Sequence, residues 1–341
     1  VADHKIPVTI RKIAADLQLA VSTVSKALSD SYEISTETKR RVLDYVNKVN
    51  YVPNTYARNL KKHKTGNIAV VIPEVADSFF SEAINGIEAI AQAKHYHVMI
   101  YLTHEDQQRE HAILNEFRSG RVDGVLLSVS GGENQAQIRE LTTHVPVVMF
   151  DRVYDDIDTF HVVTNDFDAG YAATEHLITK RCAQIAFLSM GSHLPITHKR
   201  SAGYLKAMND YGFKVKDQYI IDCGSDHHTH YTILKKLFSR KNRPDGVIAS
   251  VEKLSTLVYQ ICHEEQLSIP RHVKVVGFSN LKTAAWLNPS LTTITQPAFE
   301  IGKTAATFLF NTLDPRKKTE AKPERKVIPS ILEERASTGK K

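Results

Sequence analysis

Eight short apolar runs rich in Val and Ile recur from residue 67 onward, and they restrict the fold more than any other feature of the chain. They read NIAVVIP, YHVMIYL, VDGVLLSV and VPVVMF, and after a break QIAFLSM, YIIDCG, DGVIAS and VKVVGF. Little polar alternation interrupts them, which is the pattern of parallel strands covered on both faces by helices. Two groups of runs imply two doubly wound α/β subdomains. Such sheets bind ligands at the carboxyl ends of their strands, here in a cleft between the halves. Carriers, sensors and enzymes all use that architecture, so function has to be read elsewhere.

The first 64 residues differ in kind. They hold 12 Lys/Arg and 6 Asp/Glu, a net of +6; subtraction from the totals of 44 and 38 leaves 32 against 32 for residues 65–341. The whole positive excess lies in the first fifth of the chain, which points to a module that meets a polyanion. Thr9 is placed to cap a helix with apolar positions Ile10, Ile13, Ala14 and Leu17 at i, i+3, i+4 and i+7. VSTVSKAL follows after a few residues, with Val24 and Leu28 facing inward and Ser22, Ser25 and Lys26 outward. A third helix after Ser35 buries Val42, Val46 and Val49. Three small amphipathic helices with a tight first turn match a helix-turn-helix.

VTIRKIAADLQLAVSTVSKAL, followed by ISTETKRRV and YVPNTYARNL, closely resembles the signature of lactose-repressor-type (LacI/GalR) bacterial transcription regulators. The resemblance implies a helix-turn-helix domain over 1–52, a hinge helix and linker over 53–66, and an effector-binding and dimerisation domain over 67–341. It also implies a homodimer on a near-palindromic operator. The second helix then enters the major groove with Val21, Ser22 and Lys26 toward base edges, where Lys donates to guanine, Ser donates or accepts, and a Val methyl meets the thymine methyl. Thr9 is expected among the DNA contacts, and Thr23, Ser25 and Asn54 on phosphates, setting register. In the hinge, Tyr56, Ala57 and Arg58 join the contact, and Leu60 stands where the family drives a leucine between base pairs in the minor groove. Two positions depart from the family: Gln18 replaces the turn glycine, and Ala20 replaces the Ser or Thr that caps the recognition helix.

The resemblance continues through SFFSEAINGIEAIAQ, VVMFDRV, TNDFDAGYAATEHLI, KRSAGYLKAM and LTTITQPAFEIGKTAA. It implies a periplasmic-binding-protein-like domain whose chain crosses between subdomains near Thr164, Thr293 and Lys326. The N-subdomain then comprises about 67–164 and 293–326, and the C-subdomain about 165–292 and 327–341. By position, Phe79, Phe80, Asp151, Arg152, Asn165, Asp166, Arg200, Glu252 and Ser279 are carried over as effector contacts. Val251 and Glu252 replace the family's Asn-Asp, and Ser279 replaces an Asp, so two sugar-hydroxyl acceptors are altered. That change leads to the expectation of a sugar-derived effector that is acidic or phosphorylated, within a range spanning sugar, sugar acid and sugar phosphate.

Other classes find less support. Cys182, Cys223 and Cys262 lie 41 and 39 residues apart, which suits neither a disulfide framework nor a metal knuckle, and they read as buried thiols in a reducing cytoplasm. DHHTH at 226–230 lacks a second ligand cluster, and no metal is expected there. GKT at 302–304 has Pro297 where a phosphate loop needs Gly, so no nucleotide cofactor is expected. No nucleophile elbow, secretory leader or long apolar span is apparent, which argues against an enzyme, an exported protein and a membrane protein. The surviving alternative is a sugar-binding carrier or sensor without a gene-regulatory role.

Overall fold

In the computed structural model, the described residues are 8–51, 64–191, 194–224, 226–316 and 322–339. The chain divides into two units, Val1–Thr65 and Gly66–Lys341.

The first unit has three helices among its described residues, α1 (Ile10–Asp16), α2 (Val21–Leu28) and α3 (Thr36–Lys48). Thr9 Oγ1 accepts the Lys12 amide at 3.3 Å and Ser35 Oγ accepts that of Thr38 at 3.3 Å, so α1 and α3 have side-chain caps. At the N-cap of α2 stands Ala20, with no side-chain hydrogen bond. Gln18 closes the turn between α1 and α2 in the left-handed region, at φ 54°. The core is small: Ile13, Ala14, Val24, Ala27, Val42 and Val46 are buried, with Leu17, Leu28 and Tyr45 packed around them. The inward residues of α2 are therefore Val24 and Ala27. Leu28 is half-buried, as is Val49, which has already left α3 as its C-cap.

The second unit carries two six-stranded sheets among its described residues. The first contains β1 (Asn67–Ile72), β2 (His97–Leu102), β3 (Gly124–Leu127), β4 (Val147–Phe150), β5 (Phe160–Val163) and β11 (Arg325–Val327), in the order β11-β5-β4-β3-β1-β2. The second holds β6 (Ile185–Ser189), β7 (Ile220–Asp222), β8 (Gly246–Ala249), β9 (Lys274–Phe278), β10 (Thr292–Thr295) and β12 (Ile331–Glu333), in the order β12-β10-β9-β8-β6-β7. Every pairing is parallel except β10 with β12, so the doubly wound pattern ends on one antiparallel edge.

Helices α4 (Ser78–Ala93), α5 (Gln107–Phe117), α6 (Gln135–Thr142) and α11 (Ala298–Leu313) belong to the first sheet. Helices α7 (Asp166–Thr179), α8 (Pro195–Asp210), α9 (His227–Phe238) and α10 (Glu252–Glu264) belong to the second. Continuous apolar strands are needed because both faces are covered. On β1, Ile68, Val70 and Ile72 enter one core while Ala69 and Val71 enter the other. On β6, Ala186 and Leu188 face one core and Ile185 and Phe187 the opposite one.

The chain passes between subdomains after Val163, after Thr295 and after Val327. The last two passages lie slightly beyond the expected Thr293 and Lys326. Thr293, Ile294 and Thr295 are still paired with β12, and Pro297 then caps α11. Val327 is still paired with Val163 in the first sheet.

Candidate functional site

In the first unit, α2 presents Val21, Ser22, Ser25 and Lys26 to solvent, while Thr23 is half-buried. Val21 is 43% exposed, so it does not pack beneath the turn. Lys26 Nζ forms an ion pair with Glu33, in the turn leading to α3. The amine expected to face a base is thus matched to a carboxylate on its own surface, a partner the sequence did not reveal. Thr9 spends its hydroxyl on the α1 cap. The expected hinge contacts Asn54, Tyr56, Ala57, Arg58 and Leu60 lie outside the described residues.

In the second unit, the carboxyl ends of the two sheets face each other across a cleft. Phe79, Phe80, Asp151, Arg152, Arg200, Glu252 and Ser279 all line it. Phe79 and Phe80 occupy the first turn of α4, whose N-cap Asp77 accepts the Phe79 amide at 2.9 Å. Their rings meet edge to face at 5.2 Å. Asp151 and Arg152 follow β4, and Asp151 adopts a left-handed φ of 58° that turns the chain at the strand end. Arg152 is buried, donates from Nη1 to Glu105 Oε2 at 2.6 Å, and stands 5.7 Å over the Phe80 ring.

Arg200 enters from α8. Its Nε donates to Asp166 Oδ1 at 2.7 Å and its Nη1 to the Ser250 carbonyl at 2.5 Å, and the guanidinium stacks 4.1 Å from the Phe278 ring centre. Nη2 is buried without a partner among the described residues. A buried donor without an acceptor is costly, and a ligand oxygen would relieve it.

Two expected contacts stand a layer back from the cleft wall. Asp166 orients Arg200 from behind. Asn165 Oδ1 accepts the Ser330 amide at 2.8 Å, joining two of the passages between subdomains.

Acid groups in the cleft are perturbed. Burial pushes the Asp151 carboxyl up to about 7, against the pull of Arg152 and Arg200. Burial, assisted by the Glu252 charge, raises Asp77 to about 6. The sequence reading missed Asp77, Ile196, Val251, Phe278, Asn280 and Gln296, which complete the lining. Asp77 and Phe278 were discoverable by extending the strand-end rule past β1 and along VVGF, and Val251 stood out as an altered acceptor position; Ile196 carries no comparable signal.

The altered acceptor positions still meet carboxylates. Glu252 Oε2 accepts from Ser279 Oγ at 2.6 Å, so the acid has moved to a neighbouring position and Asp77 adds another. Each arginine, in turn, already has a carboxylate partner.

The cleft is closed. Its cavity is about 20 Å3, close to the space one water needs. Glu74 pairs with Lys253 at 2.8 Å and Glu82 with Lys282 at 2.5 Å, both across the two halves. Among the described residues no helix is long and apolar enough to cross a membrane, and no group of three or more His, Cys, Asp and Glu is arranged to hold a metal.

A helix-turn-helix unit joined to a two-lobed cleft domain defines a DNA-binding regulator that responds to a small ligand. Comparison with known proteins gives the family. Residues 9–54 match the bacterial regulatory proteins of the lacI family, and residues 65–336 match the periplasmic binding proteins and sugar binding domain of the LacI family. The chain belongs to the LacI family and is a DNA-binding transcriptional regulator. It is 28% identical over 305 residues to Catabolite control protein A of Priestia megaterium, covering 89% of this chain and 91% of that protein. The lac repressor dimer bound to operator and the anti-inducer ONPF shares the fold at TM-score 0.83, with 19% identity over 98% of this chain and 99% of that one. A LacI family transcriptional regulator from Enterococcus faecium with bound ribose is 26% identical, with TM-score 0.70, over 80% and 98% of the respective chains.

Proposed function

We propose that this regulator grips a near-palindromic operator as a homodimer in the cytoplasm, and that a neutral sugar in the cleft controls the grip. The cleft is read as a binding site and not as an active centre. The named relatives are transcriptional regulators, which supports that reading.

The charge pattern of the cleft carries the choice of ligand. Asp77, Asp151 and Glu252 face inward, whereas Arg152 and Arg200 are bonded to Glu105 and Asp166. An anionic ligand would find no arginine without a carboxylate partner; a neutral polyol supplies hydroxyl donors to Asp77 and Asp151 and an oxygen to Arg200 Nη2. Phe79, Phe80 and Phe278 offer apolar surface for the C–H face of a sugar ring. The family resemblance and the ribose-bound relative agree with a sugar. The test is calorimetric titration with ribose, glucose, glucuronate and ribose 5-phosphate at pH 7.5. A neutral sugar is expected to bind best, and tighter binding of either anion would overturn this choice.

A further inference from the structure

Glu252 hydrogen-bonds to both halves of the cleft. It is the first residue of α10, in the second subdomain, yet Oε1 accepts the amide of Ser78 at 3.2 Å, and Oε2 accepts from the Ser78 hydroxyl at the start of α4 in the first. On its own side Oε2 also accepts from Ser279 Oγ at 2.6 Å and from the Asn280 amide at 3.2 Å. One carboxylate therefore takes two donors from each half. The N-terminus of α4, a 16-residue helix, is where a ligand anion would otherwise gain most from free amides and the helix dipole. Glu252 already fills that place with its own charge.

We propose that Glu252 is a built-in latch that determines effector specificity: it holds the two halves together by capping α4 from the opposite subdomain, and so excludes ligands bearing an anion there. This deepens the neutral-sugar reading and rests on it for the ligand class, while the latch itself stands on the hydrogen bonds. Lys253–Glu74 and Lys282–Glu82 flank it and hold the same closure. A shorter or neutral residue at position 252 leaves the Ser78 amide and hydroxyl for a ligand to use.

The test uses the full chain with spin labels on exposed positions of the two halves, introduced as Arg109→Cys and Lys236→Cys; the native thiols Cys182, Cys223 and Cys262 are buried. Without ligand, the label-to-label distance should be one narrow population. In Glu252→Gln it should lengthen and broaden, and Ser78→Ala, which removes the hydroxyl partner and leaves Glu252 in place, should move it the same way. In parallel titrations Glu252→Gln should shift the ratio of glucuronate to ribose affinity at least tenfold toward the anion. Unchanged distances in both variants would overturn the latch, whichever sugar binds. An unchanged affinity ratio would overturn its role in specificity. If instead the unmodified chain prefers an anion, the neutral-sugar reading fails, and the distance measurement still decides the latch.

Discussion

Gln18 and Ala20 sit two residues apart in the turn of the DNA-binding unit, and each is a local misfit. A glutamine at φ 54° bears a cost that glycine avoids, and a bare N-cap leaves α2 amides without a side-chain acceptor. Gln18→Gly is expected to stabilise this unit by roughly 0.5–1 kcal/mol, since left-handed backbone favours glycine by that order. Ala20→Ser should add ~1 kcal/mol through the cap. Native-state hydrogen exchange of the α2 amides would read both, and unchanged protection would contradict them. In the cleft, Asp77 and Asp151 have carboxyl groups raised to about 6 and about 7. A raised acid binds its proton more tightly folded than unfolded, so its contribution falls as pH climbs from the ordinary carboxylate range through those values. Global stability should decline between about pH 4 and 7 through these groups, and Asp151→Asn should flatten part of the decline. Denaturant unfolding across that range is the check.

At the scale of elements, glycines set how closely helices approach, and thereby where site residues stand. A Cβ on Gly170 of α7 would lie 2.2 Å from the Arg200 carbonyl oxygen, and one on Gly203 of α8 would lie 2.0 Å from that of Phe167. Gly170→Ala must push α8 away at Arg200 itself, so it should weaken sugar binding along with stability, whereas Gly212→Ala, at a position open to solvent, should leave binding intact. Equal sugar affinity in both variants would contradict this. For the hinge, Leu60→Ala is expected to lose operator affinity and DNA bending while the cleft still binds ligand; unchanged bending defeats the wedge.

Much of this level was legible beforehand. Val/Ile runs located the inner strands because both of their faces are covered, although edge strands β2 and β7 are partly exposed, and Phe80, Asp151 and Glu252 came from the family resemblance. Which sheet Thr293–Thr295 and Val327 pair with is a matter of register, which leaves no local pattern in the sequence. Partners at long range, such as Glu105 for Arg152, or Glu33 for Lys26, leave no local pattern to read.

For the whole molecule, the charge division of the sequence becomes a division of labour: a basic unit for DNA and a charge-balanced unit around a cleft. A ligand moves the equilibrium between conformations only by binding them unequally. Ion pairs of the chain itself join the two halves beside the cleft, so a sugar that favours one arrangement of the halves over another has the means to move that equilibrium. The most direct measurement is operator affinity by fluorescence anisotropy, using a palindromic duplex selected from random sequence, with and without a saturating neutral sugar already shown to bind. A change of tenfold or more in Kd is expected, absent in Arg200→Met. A bound sugar that leaves operator Kd unaltered would contradict control of the grip from the cleft.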